Sequence, residues 1–363
     1  MRPLGLYIHI PFCKTLCPYC DFYKVKQDRE LMQKYREAVV KTTASFQHDF
    51  SDYLVDTIYF GGGTPSVMDG EMIAEMLDSI YQNFNVSSDA EITVECNPSS
   101  DLEHFIPVIA SAGVNRISMG MQSAVDSERR ALGRLADSDR IKFAVALIKS
   151  QGIANISLDL MLGVPGQTIA SLDESIAFID SLDITHVSAY MLKIEDGTVF
   201  DRKYRAGELT LPDEDSTCDL YLHAIDALNR IGFHQYEISN FSKEGMESRH
   251  NLKYWKLDEY LGIGPAAHSY VDGKRFYYPP DLAAFIDGTS PLSDGEGGDE
   301  NERIMLGLRL TEGLTDFSQD LYNKAVALAS TSLQGLISVG PDRIALTKEG
   351  FLLSNQIIGM LID

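Results

Sequence analysis

Between residues 4 and 192 one unit recurs six times: a short apolar run, a turn rich in cysteine, glycine or proline, and then helical spacing. The apolar runs are GLYIHI, VDTIYF, EITVEC, VNRISMG, ISLDLML and THVSAYML. Each has strand length and is bounded by turn residues, whereas the stretches Arg29 to Phe46 and Asp69 to Asn83 carry helical periodicity. Asp101 and Ser171 stand where further helices would be capped. Strand-then-helix succession of this kind implies parallel strands joined by right-handed crossovers. Six units fall short of the eight of a closed barrel. The expected fold is therefore α/β, an open, partial (β/α)6 TIM-like barrel, whose site is built by the loops that follow the strands.

The first of those loops is the most informative. PFCKTLCPYCDFY places Cys13, Cys17 and Cys20 at C-x3-C-x2-C spacing directly after the first strand. Three close thiolates suit an iron–sulfur cluster, and a cubane held by only three leaves one iron open to an exogenous ligand. Structural zinc, with His9 or His48 as fourth ligand, is the competing reading. Zinc sites usually pair two separated knuckles, however, and the chain has no second one. Cys96 and Cys218 are isolated and read as small buried hydrophobes.

The other turns fall at the same end of the expected barrel. Gly61-Gly62-Gly63 follows the second strand, where absent side chains would let backbone approach a ligand. Glu95 closes the third strand, positioned to accept from ribose hydroxyls, while Gln122, Arg134 and Asp159 lie at or just beyond the fourth and fifth. Tyr19, between Cys17 and Cys20, is placed to set its ring against an adenine edge.

Composition narrows the partners. A hydrophobic content of 44% with 23% charged residues over 363 positions fits a globular protein with a large core. No apolar run reaches membrane-span length, and the cysteine motif begins too early for a signal peptide to precede it, so a cytoplasmic location is expected. A net charge of −22 argues against nucleic acid, which demands a basic footprint. It leaves room for a tetrapyrrole with a few carboxylates, which local arginines suffice to meet, and for peripheral membrane contact.

LYIHIPFCKTLCPYCDFY, YFGGGTPS, ECNP, ISMGMQS, LGR and DLMLGVPGQT together resemble the radical-SAM superfamily, and within it the oxygen-independent coproporphyrinogen oxidase-like group. HNLKYW, GPAAHSY, MLGLRL and LTKEGFLLSN extend the resemblance over nearly the whole chain. It implies a 4Fe–4S cluster on Cys13, Cys17 and Cys20, and S-adenosyl-L-methionine (SAM) contacts from Tyr7, Tyr19, Gly62, Gly63, Thr64, Glu95, Gln122, Arg134 and Asp159. Relatives commonly follow the LGR arginine with a histidine; Leu135-Ala136-Asp137 stand there instead, which removes any role for that histidine.

The group contains oxidases and haem chaperones, and three features favour the HemW chaperones. The oxidases carry a fourth cysteine where this chain has Phe22, and a long N-terminal extension where it has 12 residues. The sequence His250-Asn251-Leu252-Lys253-Tyr254-Trp255 resembles the HNxxYW motif that the chaperones associate with haem. On this reading His250 offers an imidazole to iron, Tyr254 and Trp255 offer rings to the macrocycle, and His268 is a second possible axial ligand. The expected function is haem binding and transfer to acceptor proteins, respiratory ones among the candidates, by a monomer or homodimer using the cluster and SAM. The alternative is an oxidase that decarboxylates coproporphyrinogen III to protoporphyrinogen IX; a radical-SAM enzyme of another substrate is a distant third. No catalytic residue is assigned.

Three parts are expected: a barrel at 1–240, a connecting segment bearing HNxxYW at 241–292, and a mostly helical, winged-helix-like cover domain at 293–363. The last follows an acidic, glycine-containing stretch, Ser293 to Glu302. From 292 onward it holds 5 Lys and Arg against 11 Asp and Glu, so a DNA-binding role fails on charge.

Overall fold

The computed structural model describes residues 1–362. Strands β1 (Arg2–Ile10), β2 (Tyr53–Gly62), β3 (Val86–Cys96), β4 (Arg116–Gln122), β5 (Asn155–Leu162) and β6 (His186–Met191) lie side by side in chain order, and each neighbouring pair is parallel. The partial six-unit barrel expected from the sequence is the fold. Strand alternation explains how it holds together. Leu4, Leu6, Ile8 and Ile10 of β1, and Ile117, Met119 and Met121 of β4, are buried toward the helical layer. Arg116, Ser118, Gly120 and Gln122, on the opposite face of β4, line a polar lumen. The hydrophobic core thus sits between sheet and helices, and the lumen is left for chemistry.

Residues 241–292 are more than a connector. β7 (Tyr260–Ile263) pairs in parallel with the free edge of β1, and β8 (His268–Val271), β9 (Lys274–Tyr277) and β10 (Leu292–Glu296) continue the sheet antiparallel. Asp272 and Gly273, with φ of 51° and 71°, form the turn between β8 and β9, the left-handed pair that a tight hairpin requires. Two short antiparallel strands, His234–Gln235 and Asn240–Ser242, extend the sheet beyond β6. The result is a 12-stranded sheet.

The C-terminal part has helices at Glu300–Gly307 and Gln319–Ala329, a hairpin of Ile337–Gly340 and Arg343–Leu346, then helices at Lys348–Leu352 and Ser354–Leu361. This is the winged-helix-like order, with Asp363 outside the described residues. This part docks through the Arg309 carbonyl, which accepts from the Ile238 amide at 2.9 Å, and through Lys348, which pairs with Asp226 at 3.1 Å. Arg309 also lies 5.9 Å from the Trp255 ring centroid. No described residue after Asn251 lines the lumen. These contacts buttress the barrel through its outer edge. Among the described residues no helix is long and apolar enough to cross a membrane.

Candidate functional site

The cysteine loop is closed at its base by a two-residue parallel pairing of Phe12–Cys13 with Val25–Lys26. Within it the Cys20 amide donates to the Cys17 carbonyl at 3.3 Å, and Lys24 Nζ donates to the Cys20 carbonyl at 2.6 Å. All three thiols are free; Cys13 is buried, which raises its pKa, and its Sγ lies 3.6 Å from Thr64 Oγ1. Neither histidine weighed for zinc serves it. His9 spends both ring nitrogens, Nδ1 on the Tyr7 hydroxyl and Nε2 on the Tyr23 carbonyl, each at 3.0 Å. It pins the return of the loop. His48 lies near Asp52, whose carbonyl accepts from the Arg2 amide at the far end of β1.

The triple glycine is demanded by protein packing rather than by ligand approach alone. A Cβ on Gly62, where φ is +106°, would lie 2.5 Å from the His9 ring. One on Gly63 would lie 2.7 Å from the Ile10 and Phe12 carbonyl oxygens, and one on Gly61 would meet Tyr59 at 2.6 Å. Absent side chains let the β2 turn nest against the base of the cysteine loop. Glu95 holds the nest, accepting from the Gly62 amide at 3.1 Å and the Tyr59 hydroxyl at 2.8 Å. Burial pushes its carboxyl up to about 7, against the pull of those bonds.

A cavity of about 490 Å³ opens between these loops and runs into the lumen, a size suited to a cofactor of nucleoside dimensions. Cys13, Cys17 and Cys20 line it, together with Tyr19, Gly62, Gly63, Thr64, Glu95, Gln122, Arg134 and Asp159. Tyr7 is the one expected contact outside its wall; it sits behind, against His9, Tyr59 and His250. Arg134 donates to the Tyr19 hydroxyl at 2.9 Å and leaves Nε without a partner. Gln122 ends β4 at φ 71°, and its amide would lie 2.8 Å from a Cβ on Gly120, so that glycine makes room for it. Asp159 accepts weakly from Ser118 Oγ at 3.4 Å, and burial raises its pKa. Arg116, Ser188, Tyr190 and Asn251 also line the cavity and were not foreseen. For Arg116 a signal existed: it shares the strand face of Ser118, Gly120 and Gln122.

The two histidines expected to face haem sit in different surroundings. The helix Arg249–Lys256 buries His250 and Lys253, and its first amides donate to Glu91, from Arg249 and His250 at 3.1 Å each. His250 is 0% exposed; Nδ1 meets Thr57 Oγ1 at 2.8 Å and Nε2 meets the Tyr254 hydroxyl at 2.9 Å. Both ring nitrogens are thus hydrogen-bonded within the protein, and burial pushes the pKa down to about 3. Tyr254 is engaged with His250 and edge-on to Tyr260, and Trp255 faces Arg309. His268 differs. Its side chain is exposed on β8, stacked on Tyr277 at 5.2 Å, with Nδ1 4.0 Å from Asp294.

The family model described as the radical SAM superfamily matches residues 7–179, the span that carries the cysteine loop and most of the lumen. The haem chaperone HemW of Bacillus subtilis is 34% identical over 98% of this chain and 98% of its own length. That of Mycobacterium tuberculosis is 35% identical over 99% and 95%. In fold, the chain is similar to coproporphyrinogen III oxidase (HemN) from Escherichia coli, with a TM-score of 0.85, 21% identity, and coverage of 99% of this chain and 90% of that one. The chain belongs to the HemW family of radical SAM proteins. The residues present fit the cofactors of such a family: three unpaired thiols face one cavity with a buried guanidinium whose Nε is unsatisfied.

Proposed function

We infer that this protein is a haem chaperone of the HemW type, carrying a 4Fe–4S cluster, SAM and haem. The observation that carries the reading is similarity along the full chain to curated haem chaperones, 34% identical over 98% of both proteins in one case. Cys13, Cys17 and Cys20 would hold the cluster, and Tyr19, Gly62, Gly63, Thr64, Glu95, Gln122, Arg134 and Asp159 would hold SAM. When bound, these groups supply one-electron chemistry. The chain's own part is to shape a cavity that the His9 and Glu95 bonds keep rigid.

For haem iron we assign His268. A ligating imidazole is commonly oriented by a carboxylate, and Asp294 stands 4.0 Å from Nδ1 of this exposed side chain. Tyr277 supplies a stacked ring beside it. Haem passes to acceptor proteins in the cytoplasm, with the three-part division at 240 and 292 marking barrel, haem-bearing extension and buttress. The deciding experiment is a haem titration of anaerobically reconstituted protein, run beside an assay with coproporphyrinogen III. A saturable Soret change without protoporphyrinogen IX is expected. Robust protoporphyrinogen formation with no saturable haem change would overturn the chaperone reading in favour of the oxidase.

A further inference from the structure

At the end of the cavity away from the cysteines, two polar side chains face inward without a partner. Arg116 is 1% exposed and heads the largest fully buried side chains of the described residues. It has no hydrogen bond or ion pair through its guanidinium, whose Nε is wholly enclosed. Asn251 reaches the same cavity from the helix Arg249–Lys256; its backbone amide bonds Ser248, but its side-chain amide bonds nothing. An enclosed Nε with no acceptor is unfavourable, and the terminal nitrogens face the cavity without a protein partner, so the group is placed to receive an acceptor.

The nearby carboxylates do not supply one. Glu95 is engaged by Tyr59 and Gly62, Asp159 by Ser118, and neither forms an ion pair with Arg116. They offset its charge through space without meeting its donors. Strand register fixes the depth. Arg116 pairs with Thr93, while Cys96, at the level of the glycine turn, pairs with Met119. Three residues separate the levels, roughly 10 Å along the strand.

We propose that Arg116 and Asn251 form a carboxylate-binding floor to the barrel lumen, the guanidinium forking onto both oxygens and the Asn251 amide donating to one. This extends the reading of the cavity as a cofactor site to a second anchoring point, and it draws the asparagine of HNxxYW into ligand binding. SAM carries one carboxylate and haem carries two, so the chemistry is shared and the source is for experiment to separate.

The test uses reconstituted full-length protein and four probes: SAM, decarboxylated SAM, haem and haem dimethyl ester. Arg116→Gln should weaken binding of one acid by about tenfold or more, the cost of losing a bidentate charged bond. It should leave the carboxyl-free analogue of that acid unchanged. Selective loss within the SAM pair assigns the site to SAM, and loss within the haem pair assigns it to a propionate. Asn251→Ala should reproduce the selectivity with a smaller loss. Unchanged affinity for all four probes, or equal loss for acid and analogue, overturns the proposal. Should Arg116→Gln fail to fold, phenylglyoxal labelling of wild-type Arg116, read by peptide mass spectrometry, replaces it. Protection by an acid and not by its analogue supports the floor, and equal labelling overturns it. The SAM-induced change in the reduced cluster's EPR spectrum reports separately on whether SAM enters the cavity at all.

Discussion

Gly62 illustrates how much of this site is decided one residue at a time. Its φ of +106° and the His9 ring 2.5 Å from an added Cβ leave no place for alanine. Gly62→Ala should destabilise the fold by more than about 1 kcal/mol and lower SAM affinity, checked by denaturant unfolding and calorimetry. Each of Cys13→Ala, Cys17→Ala and Cys20→Ala should abolish the cluster, whereas Cys218→Ala should leave iron and labile sulfide unchanged. Glu95 carries a pH signature. With its carboxyl pushed up from 4.5 to about 7 by burial, the folded protein keeps a proton that the unfolded chain has released. Its contribution to stability therefore falls as pH rises across that window and is flat above it. The stability of Glu95→Gln minus that of wild type should grow between pH 4.5 and 7 and then level off. A constant difference would remove the buried-carboxyl account.

At the scale of the element, the helix Arg249–Lys256 is the instructive case. Ser248 caps its first turn, Glu91 receives two of its amides, and Lys253 pairs with Asp56 at 2.8 Å in a bulge of β2. Lys253→Ala should cost about 1–3 kcal/mol, less than a fully dry ion pair because Asp56 keeps some solvent. His250→Ala should cost about 2–4 kcal/mol by opening a cavity and stranding Thr57 and Tyr254, yet leave the Soret band of bound haem in place. His268→Ala should do the reverse, shifting or weakening the band with little change in unfolding. If His250→Ala instead removes the band from a folded, cluster-loaded protein, the ligand assignment to His268 is wrong. The imidazole adds a second pH term. The unfolded histidine protonates below about 6.5 and the buried one, held near 3, does not, so this contribution weakens as pH falls through that range.

For the whole molecule, the strong acidity and the polar lumen are separate designs. The −22 net charge is spread over a surface with many exposed carboxylates, while Arg116 and Arg134 are placed on the cavity wall. The C-terminal domain meets the barrel through the segment around Glu237, which is buried with its carboxyl pushed up to about 7 by desolvation. Glu237 accepts from the Ser239 amide at 3.0 Å and from Asn240, and its backbone bridges to Leu310. Docking of that domain thus reinforces the outer edge of the sheet.

The six-unit barrel, the cysteine loop and the gathering of strand-end residues around one cavity were legible in the sequence because each depends on local order. Period-two alternation marks a strand, a glycine or cysteine turn marks its end, and parallel topology brings those ends together without further information. What lay beyond reach depended on long-range packing. The role of His250 was set by Thr57, 193 residues away in sequence, and by the helix that carries both His250 and Tyr254 under the lumen. A motif names side chains but not the direction they face, and here burial turned a proposed ligand into a floor beam. Likewise Arg116 belongs to a strand plainly readable as VNRISMG, but only the closed curvature of the sheet put its guanidinium into an enclosed space with no partner. Local periodicity determined the fold and the mouth of the site; the fold's curvature and its distant contacts decided the depth of that site and that His250 is buried while His268 is exposed.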